Sequence, residues 1–280
     1  MIINKALING SKLINHSASP RLDVEVLLTK VLKISRSELI ANTNKSISLF
    51  HLLLYFRLVF KRKLGYPVAY LTGHKEFYGR EFFVTKHTLI PRPDTEILIA
   101  EALKIIQNNN INTIVDVGTG SGCIAVTLAL ETPQLKVYAT DISRSALHTA
   151  QKNAKLYSLD SKVNFIHGDI LNPILNILSP QTLIIANLPY LLPNEYKGEI
   201  TFEPRGALIS GQDGLKHYRE LLKQLAQLPQ EKRPNFLMIE IHPSTLNNLK
   251  DIISQIFLKN KVIITTDLSD RPRVLTLRLF

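Results

Sequence analysis

Residues 115–122 read VDVGTGSG, and this glycine-rich stretch decides the fold. It ends an apolar run at 113–117 and precedes a helical pattern at 122–130, so it predicts a turn from a strand into a helix. Glycines at alternate positions allow a sharp turn and let a ligand approach the backbone closely. The spacing is GxGxG, with Cys123 where the dinucleotide fingerprint GxGxxG has its third glycine. The stretch predicts a ligand-binding loop, with a purely structural tight turn as the alternative.

Strands alternate with helices on the C-terminal side of this loop. The predicted strands are 113–117, 136–140, 163–167, 182–186, 236–241, 262–266 and 274–279, and the predicted helices are 122–130, 143–157, 215–228 and 246–257. Such alternation predicts an α/β fold with a mostly parallel, seven-stranded sheet between layers of helices. The last two strands have no helix between them, so the final pairing is predicted to be antiparallel.

The N-terminal side of the loop has a different pattern. Residues 1–75 predict a small helical domain, in which Ser35 and Glu38 have the spacing of a capping box. The most apolar stretch, ISLFHLLLYFRLVF at 47–60, is too short to span a bilayer and predicts a mostly buried helix. A helix lying in a membrane interface is the alternative. We expect residues 76–90 to form a hairpin linker and residues 91–280 to form the larger domain.

Positive charge is concentrated near the N-terminus. The chain has a net charge of +11, and residues 1–75 hold 12 Lys and Arg against 3 Asp and Glu. Residues 76–280 hold 22 against 20. The first quarter therefore predicts contact with an acidic partner, such as nucleic acid, the ribosome surface or an acidic protein. A solvated basic face without a partner is the alternative.

Composition excludes several protein classes. The chain is 45% hydrophobic and 20% charged, which excludes collagen-like and largely disordered proteins. The single cysteine, Cys123, excludes an intramolecular disulfide framework and a multi-cysteine zinc site, and we expect no metal. Residues 1–20 contain no apolar stretch long enough for a signal-peptide core, so we expect a cytoplasmic protein with no membrane association.

Acidic residues lie at or just after the carboxyl ends of the first three predicted strands. Asp116 precedes the glycine loop, where a carboxylate suits a cationic ligand better than a pyrophosphate. Asp141 ends the second strand about twenty residues further on, where it could accept both hydroxyls of a ribose. Asp169 could contact an adenine amino group, with Ile170 against the ring. The pattern predicts S-adenosylmethionine as cofactor. A helix N-cap at Asp141 and a plain turn residue at Asp169 are the alternatives.

The fourth strand is followed by Asn187-Leu188-Pro189-Tyr190. This quartet resembles the [N/D/S]-P-P-[Y/F/W] motif of S-adenosylmethionine-dependent methyltransferases that act on planar nitrogens. Three further stretches, GYPVAYLTGHKEFY at 65–78, LIPRPDTE at 89–96 and TFEPRGAL at 201–208, are similar to one such family, the release factor glutamine methyltransferases. The resemblance covers nearly the whole chain. It implies a Rossmann-like class I methyltransferase domain preceded by a helical substrate-recognition domain.

The resemblance also implies the reaction and the site. The expected reaction transfers a methyl group from S-adenosylmethionine to N5 of the glutamine in the Gly-Gly-Gln loop of peptide chain release factors. The implied cofactor contacts are Gly118, Thr119, Gly120, Ser121, Gly122, Asp141, Asp169, Ile170 and Asn187. The implied substrate contacts are Asn187, Leu188, Pro189, Tyr190, Phe77 and Pro91, with Asn187 as the catalytic residue. Leu188 departs from the motif, which usually has proline there.

The chemistry accounts for the quartet. A carboxamide nitrogen is a weak nucleophile because its lone pair is delocalised into the carbonyl group. The Asn187 side-chain oxygen and the Leu188 carbonyl could each accept one N–H of the substrate amide and hold its nitrogen toward the methyl group. Tyr190 would form a wall against the flat amide, and Pro189 would stiffen the turn.

Two alternative functions remain open from the sequence. The first is a nucleic-acid adenine or guanine N-methyltransferase, which the basic residues 1–75 favour and in which Tyr190 would stack on a flipped base. The second is a non-catalytic binding module on the same scaffold, to which only Leu188 points. Release factors are the expected partners, and direct nucleic-acid binding belongs to the first alternative.

Overall fold

A computed structural model describes residues 1–257 and 261–279 and divides them into two compact units. The helical unit comprises residues 1–74 together with 198–202, and the sheet unit comprises 75–197 together with the chain from 203 onward. The predicted linker hairpin therefore groups with the sheet unit, and five residues from the predicted range 91–280 group with the helical unit. Residues 258–260 and 280 of that range lie outside the described residues.

Among the described residues, the helical unit has five α-helices, two of which begin with a side-chain cap. The five are α1 (Ile3–Leu13), α2 (Pro20–Leu32), α3 (Arg36–Ala41), α4 (Leu49–Lys63) and α5 (Val68–Thr72). The predicted capping box is confirmed: Glu38 N donates to Ser35 Oγ at 3.1 Å, and Ser35 N donates to the Glu38 carboxylate at 2.7 Å. At the start of α4, His51 N donates to Ser48 Oγ at 3.3 Å. These bonds satisfy amide groups that the first turn of a helix leaves unpaired.

A buried arginine fastens residues 198–202 within the helical unit. Arg62 is only 5% exposed, and its guanidinium lies 2.7 Å from the Asp23 carboxylate and 2.8 Å from that of Glu199. The ring of Phe202 packs against Tyr66 with 4.4 Å between centroids. A buried charge needs partners to offset its lost hydration, so Arg62 requires both the α2 carboxylate and the returning segment.

The prediction of a mostly buried α4 was wrong. The helix packs on α1, α2 and α5 with one face, which buries Leu52, Tyr55, Val59 and Arg62. Four other apolar residues project away from that core: Leu49, Phe50, Leu53 and Phe60 are 73%, 67%, 65% and 59% exposed. Apolar residues occur on all sides of α4, but only one side packs against other helices, and the opposite side forms an exposed apolar stripe of Leu49, Phe50, Leu53 and Phe60. Within residues 1–257 and 261–279, no helix is long and apolar enough to cross a membrane.

Seven strands among the described residues form the sheet of the second unit. They are β3 (Thr113–Val117), β4 (Lys136–Asp141), β5 (Val163–His167), β6 (Thr182–Ala186), β7 (Phe236–Glu240), β8 (Lys261–Thr266) and β9 (Pro272–Arg278), after a hairpin of β1 (His74–Phe77) and β2 (Arg80–Phe83). The order is β5-β4-β3-β6-β7-β9-β8. The pairings from β5 to β7 are parallel, and both pairings of β9 are antiparallel. The predicted Rossmann-like class is confirmed.

Helices cover both faces of this sheet. They are α6 (Glu96–Asn108), α7 (Cys123–Glu131), α8 (Arg144–Leu156), α9 (Lys216–Ala226) and α10 (Leu246–Ile256). Strand β6 is buried throughout, as its apolar sequence predicts. Its alternate residues join different apolar clusters, with Ile184 in one and Ile185 in the other, because side chains alternate across a strand. The strand order reverses between β3 and β6, where open α/β sheets bind ligands.

Candidate active site

A cavity of about 300 Å³ lies at the carboxyl ends of β3, β4, β5 and β6. Its size falls at the lower end of the usual range for small-molecule sites. Most of the predicted site residues line it: Pro91, Gly118, Thr119, Gly120, Ser121, Asp141, Asp169, Ile170, Asn187, Leu188 and Pro189. The structure therefore brings the glycine loop and the first three residues of the quartet after β6 to one cavity. Three predicted residues, Gly122, Tyr190 and Phe77, are not among those that line it.

Glycine is required in the loop for conformation and for space. Gly118, Gly120 and Gly122 have φ of +72°, +57° and +81°, a region that other residues rarely adopt. A Cβ on Gly118 would lie 2.9 Å from the side chain of Leu188, so the loop and the quartet approach closely. Gly122 is the N-cap of α7 and packs closely against Ala150, which fixes the C-terminal end of the loop.

Asp116 supports the loop from beneath. It is 1% exposed, does not line the cavity, and accepts hydrogen bonds from Thr119 Oγ1 at 2.6 Å and Ala125 N at 3.2 Å. Burial raises the pKa of its carboxyl group to about 7, against the opposing effect of these two bonds. The side chain holds the end of β3 to the start of α7 and does not face the cavity as a partner for a cationic ligand.

Asp141 lines the cavity at the end of β4. Its two oxygens accept hydrogen bonds from Gly120 N at 2.9 Å and Ser143 N at 2.8 Å. Burial raises the pKa of its carboxyl group, and these backbone bonds oppose the rise. The N-cap of α8 is Ser143, whose Oγ accepts from Ala146 N at 3.2 Å, so the alternative of Asp141 as the helix cap was wrong. Its remaining lone pairs are free to accept from a ligand.

Ile170 adopts an unusual backbone conformation beside the cavity. Its φ is +51°, which is rare for a β-branched residue, and its carbonyl accepts from Thr140 Oγ1 at 2.9 Å. Strain of this kind is typical of ligand sites. Asp169 is exposed at the same rim. His217, which sequence reasoning missed, also lines the cavity; burial lowers its pKa, and its Nδ1 lies 2.7 Å from Ser210 Oγ.

Asn187 has a fixed amide group and an unpaired oxygen. Its Nδ2 donates to Glu240 Oε2 at 2.9 Å and to Thr95 Oγ1 at 3.1 Å. Its Oδ1 is buried and has no hydrogen-bond partner among the described residues. A buried, unpaired acceptor in a cavity wall is suited to an N–H from a ligand, because leaving it unpaired destabilises the protein.

Both the side chain and the backbone of Leu188 make contacts that hold the residue in place. The side chain is 5% exposed and packs beside Gly118. The carbonyl oxygen accepts from Tyr218 Oη at 3.1 Å, and the same hydroxyl lies 2.6 Å from the Glu240 carbonyl oxygen. A carbonyl oxygen has two lone pairs, so Leu188 can still accept a second hydrogen bond.

Two residues that were expected to contact the substrate, Tyr190 and Phe77, do not line the cavity. Tyr190 Oη donates to Glu240 Oε1 at 3.3 Å, and its ring stacks on His242 with 5.9 Å between centroids. Phe77 is 1% exposed and packs edge-on against Phe82 in the core. In this structure, Tyr190 therefore supports Glu240, and Phe77 supports the hairpin.

A buried glutamate ties two stretches of the cavity rim together. Glu203 is 4% exposed and accepts from Arg92 at 2.5 Å and from Ile90 N at 3.0 Å. Arg92 and Pro204 both line the cavity. In the described part of the chain, no group of three or more His, Cys, Asp and Glu residues could hold a metal ion.

Known families and structures match both units. The family description "PrmC N-terminal domain" matches residues 5–73, and "Methyltransferase small domain" matches residues 95–201. The hMettl16 catalytic domain in complex with MAT2A 3'UTR hairpin 6 is similar with a TM-score of 0.59 at 16% identity, over 80% of this chain and 82% of that one. The N-terminal domain of human METTL16 in complex with SAH gives 0.51 at 15%, over 85% and 86%. These likenesses show the methyltransferase fold.

Sequence relatives are closer. The release factor glutamine methyltransferase of Borreliella burgdorferi is 38% identical over 96% of this chain and 94% of that protein. The enzymes of the same name from Bacillus anthracis and Bacillus subtilis are 34% and 36% identical over 89% and 90% of this chain, and over 89% and 88% of their own lengths. With this identity along nearly the whole chain, and with the glycine loop and the first three residues of the quartet after β6 meeting at one cavity, the protein belongs to the release factor glutamine methyltransferase family.

Proposed function

We propose that the protein transfers the methyl group of S-adenosylmethionine to N5 of the glutamine in the Gly-Gly-Gln loop of peptide chain release factors. The observation that carries the proposal is the buried, unpaired Oδ1 of Asn187 in the wall of the cavity beside the glycine loop. Family membership supports the substrate. The proposed substrate acts in translation termination, so the proposal includes a cytoplasmic location.

The residues around the cavity suit the proposed cofactor. Asp141 can accept the ribose hydroxyls, Asp169 and Ile170 line the cavity and are proposed to contact the adenine, and residues 118–121 line it where the methionine part could bind. When bound, S-adenosylmethionine supplies an electrophilic methyl group. Gly122 and Asp116 contribute indirectly, because they hold the loop in shape.

In the proposed reaction, two oxygens of the chain position the substrate amide. Asn187 Oδ1 accepts one N–H and the Leu188 carbonyl accepts the other, which fixes the nitrogen and raises its lone-pair density. The nitrogen lone pair forms the new N–C bond while the S–C bond breaks and its electron pair returns to sulfur. The methylated nitrogen then loses one proton to solvent. Pro189 and Pro91 form apolar parts of the wall.

The helical unit is the proposed docking site for the release factor. Residues 1–75 carry most of the net positive charge, and the exposed apolar residues of α4 give this charge an adjacent hydrophobic surface. Such a surface fits an acidic protein face with apolar residues at its centre. Basic charge would also attract the nucleic-acid substrate of the alternative function, so the test must include a nucleic acid.

Replacing Leu53 by glutamate tests the docking surface. Leu53 is 65% exposed on the α4 stripe, so Leu53→Glu should leave the fold intact but repel an acidic partner. We expect the KM for a release factor to rise about tenfold with kcat nearly unchanged, because binding is lost equally in the ground and transition states. The matched control is Leu268→Glu, at a fully exposed leucine of the β8–β9 loop. Equal KM values for the two variants would contradict the docking role.

Label transfer tests the proposed function itself. The purified protein is incubated with methyl-labelled S-adenosylmethionine and, in separate reactions, with a release factor, with the same factor carrying Asn in place of the Gly-Gly-Gln glutamine, and with tRNA or duplex DNA. Label should enter only the unmodified release factor. Label in nucleic acid would support the alternative methyltransferase, and no label in any substrate would contradict the proposal.

A further inference from the structure

We propose that Glu240 is a positioning residue, whose carboxylate selects the direction of the Asn187 amide so that Oδ1 and not Nδ2 faces the cavity. The inference rests on the proposed function, since a substrate that presents N–H groups needs an acceptor there. The juxtaposition that carries it is the contact of Asn187 Nδ2 with Glu240 Oε2 at 2.9 Å, next to an unpaired Oδ1.

The shape of an asparagine side chain does not determine which end of its amide, oxygen or nitrogen, faces a given side. The oxygen and nitrogen of a carboxamide have nearly the same size, and only hydrogen-bond partners distinguish them. Thr95 Oγ1 does not make the choice by itself, because a hydroxyl both donates and accepts. It acts only as an acceptor toward Asn187 while its hydrogen is donated to Glu240, so its preference also depends on that carboxylate. An ionised carboxylate only accepts, so Glu240 admits only the NH₂ group. A flipped Asn187 would place two acceptor oxygens together and direct its own N–H groups at those of the substrate.

The Glu240 carboxylate is held in place on several sides. It ends β7 directly beside β6, is 3% exposed, and accepts from Tyr190 Oη at 3.3 Å. A hydrogen bond from Thr95 adds to this support. Among the described residues, no ion pair includes Glu240. A buried carboxylate without an ion pair destabilises a fold, which is consistent with a functional reason for its presence.

Protonation of Glu240 would remove its selectivity. Burial raises the pKa of this group to about 7, and the charge of Asp94 adds to the rise. The bonds from Thr95 and Tyr190 and the charge of Arg273 oppose it. Below about pH 7 the group gains a proton and can donate to Asn187 Oδ1, so both amide directions become available. We therefore expect kcat to fall as the pH falls through this pKa.

Other titrating groups near Glu240 do not produce the same effect. Burial raises the pKa of Tyr190, Tyr218 and Cys123, so all three remain neutral in this range. Asp116 also has a pKa of about 7, but it lies beneath the glycine loop and would act on cofactor affinity. The measured quantity is therefore kcat at saturating cofactor.

Glu240→Gln tests the inference, because glutamine keeps the shape, does not titrate, and can face Asn187 with either end. We expect kcat at roughly pH 8 to fall about tenfold and to lose its decrease toward roughly pH 6, with cofactor Kd and Tm close to wild type. The matched control, Glu131→Gln at the end of α7, should keep the wild-type profile. A Glu240→Gln variant with wild-type kcat and pH profile, or one that loses cofactor binding in parallel with kcat, would overturn the inference.

A second readout does not depend on methyl transfer. The side-chain amide signals of Asn187, assigned by their loss in Asn187→Ala, should shift with pH in the wild type and stay constant in Glu240→Gln. Signals unaffected by Glu240→Gln would overturn the inference. If the wild type failed to methylate a release factor, the proposed function would fail, and these signals would still decide whether Glu240 directs the amide.

Discussion

Asn187→Ala is expected to lower kcat for release factor methylation by about 10²- to 10³-fold, the usual effect of removing one fixed hydrogen-bond group from a transition state. The variant loses the buried Oδ1 that has no partner in the described residues. Cofactor Kd should change less than about threefold, because Asp141 and the glycine loop supply the other proposed cofactor contacts. Steady-state kinetics with calorimetric titration of S-adenosylhomocysteine measures both quantities.

The matched control for Asn187→Ala is Asn164→Ala, at an exposed asparagine of β5 that lies outside the cavity. It should keep the wild-type kcat. An equal loss of turnover and cofactor affinity in Asn187→Ala would show that the residue builds the cofactor pocket. Unchanged kcat would contradict its role as an acceptor for the substrate amide.

Gly122→Ala should lower the free energy of unfolding of the sheet unit by about 2 to 4 kcal/mol, through two separate effects. Its φ of +81° disfavours any residue with a side chain. The new Cβ would lie 2.9 Å from the Ala150 Cβ and 3.1 Å from the Ala150 Cα, which is backbone and cannot move aside easily. Cofactor affinity should also fall, because Gly122 links the loop to α7. Denaturant unfolding with and without S-adenosylhomocysteine measures both effects.

Gly79→Ala isolates the backbone part of that loss, so the difference between the two variants gives the packing part. Gly79 has a φ of +68°, but nothing lies within 4 Å of the Cβ position in its hairpin turn. This variant should lose only about 1 kcal/mol, the cost of the backbone conformation alone. Equal losses for Gly122→Ala and Gly79→Ala would contradict the close packing of α7 against α8.

Elements of the fold were predictable where the local sequence pattern alone determines them. The glycine loop at 115–122 and the apolar run at 182–186 predicted β3, β6 and the helix between β3 and β4, because both patterns are local. The capping box at Ser35 is local as well. The burial of α4 was not predictable, because the run at 47–60 does not show which side meets α1 and α2. The grouping of residues 198–202 with the helical unit depends on Arg62 contacts far away in sequence.

The candidate site divides in the same way. Residues at strand ends, such as Asp141 and Asn187, could be placed in one cavity because parallel strands end at the same edge. The contacts that fix Asn187 could not, because Thr95 and Glu240 lie 92 and 53 residues away in sequence. Glu240 ends β7 and could have been found by extending the strand-end rule to that strand. Nothing in the sequence showed that Tyr190 would point to Glu240.

The leucine at position 188 has a structural explanation. A second proline would restrict the preceding residue, and leucine does not. Here the side chain packs beside Gly118, and the Tyr218 hydroxyl bonds to the carbonyl group. These contacts can hold the Leu188 peptide group in a fixed orientation without a proline ring. They support the proposal that the Leu188 carbonyl remains an acceptor for the substrate.

A crystal structure with S-adenosylhomocysteine and a release factor fragment containing the Gly-Gly-Gln loop tests the central claim most directly. The claim is that two oxygens of the chain hold the amide nitrogen of the substrate. The structure should show Asn187 Oδ1 and the Leu188 carbonyl oxygen each within about 3.2 Å of that nitrogen, with Nδ2 still bonded to Glu240. A glutamine bound in the cavity with either oxygen out of reach, or with Nδ2 turned toward it, would contradict the account.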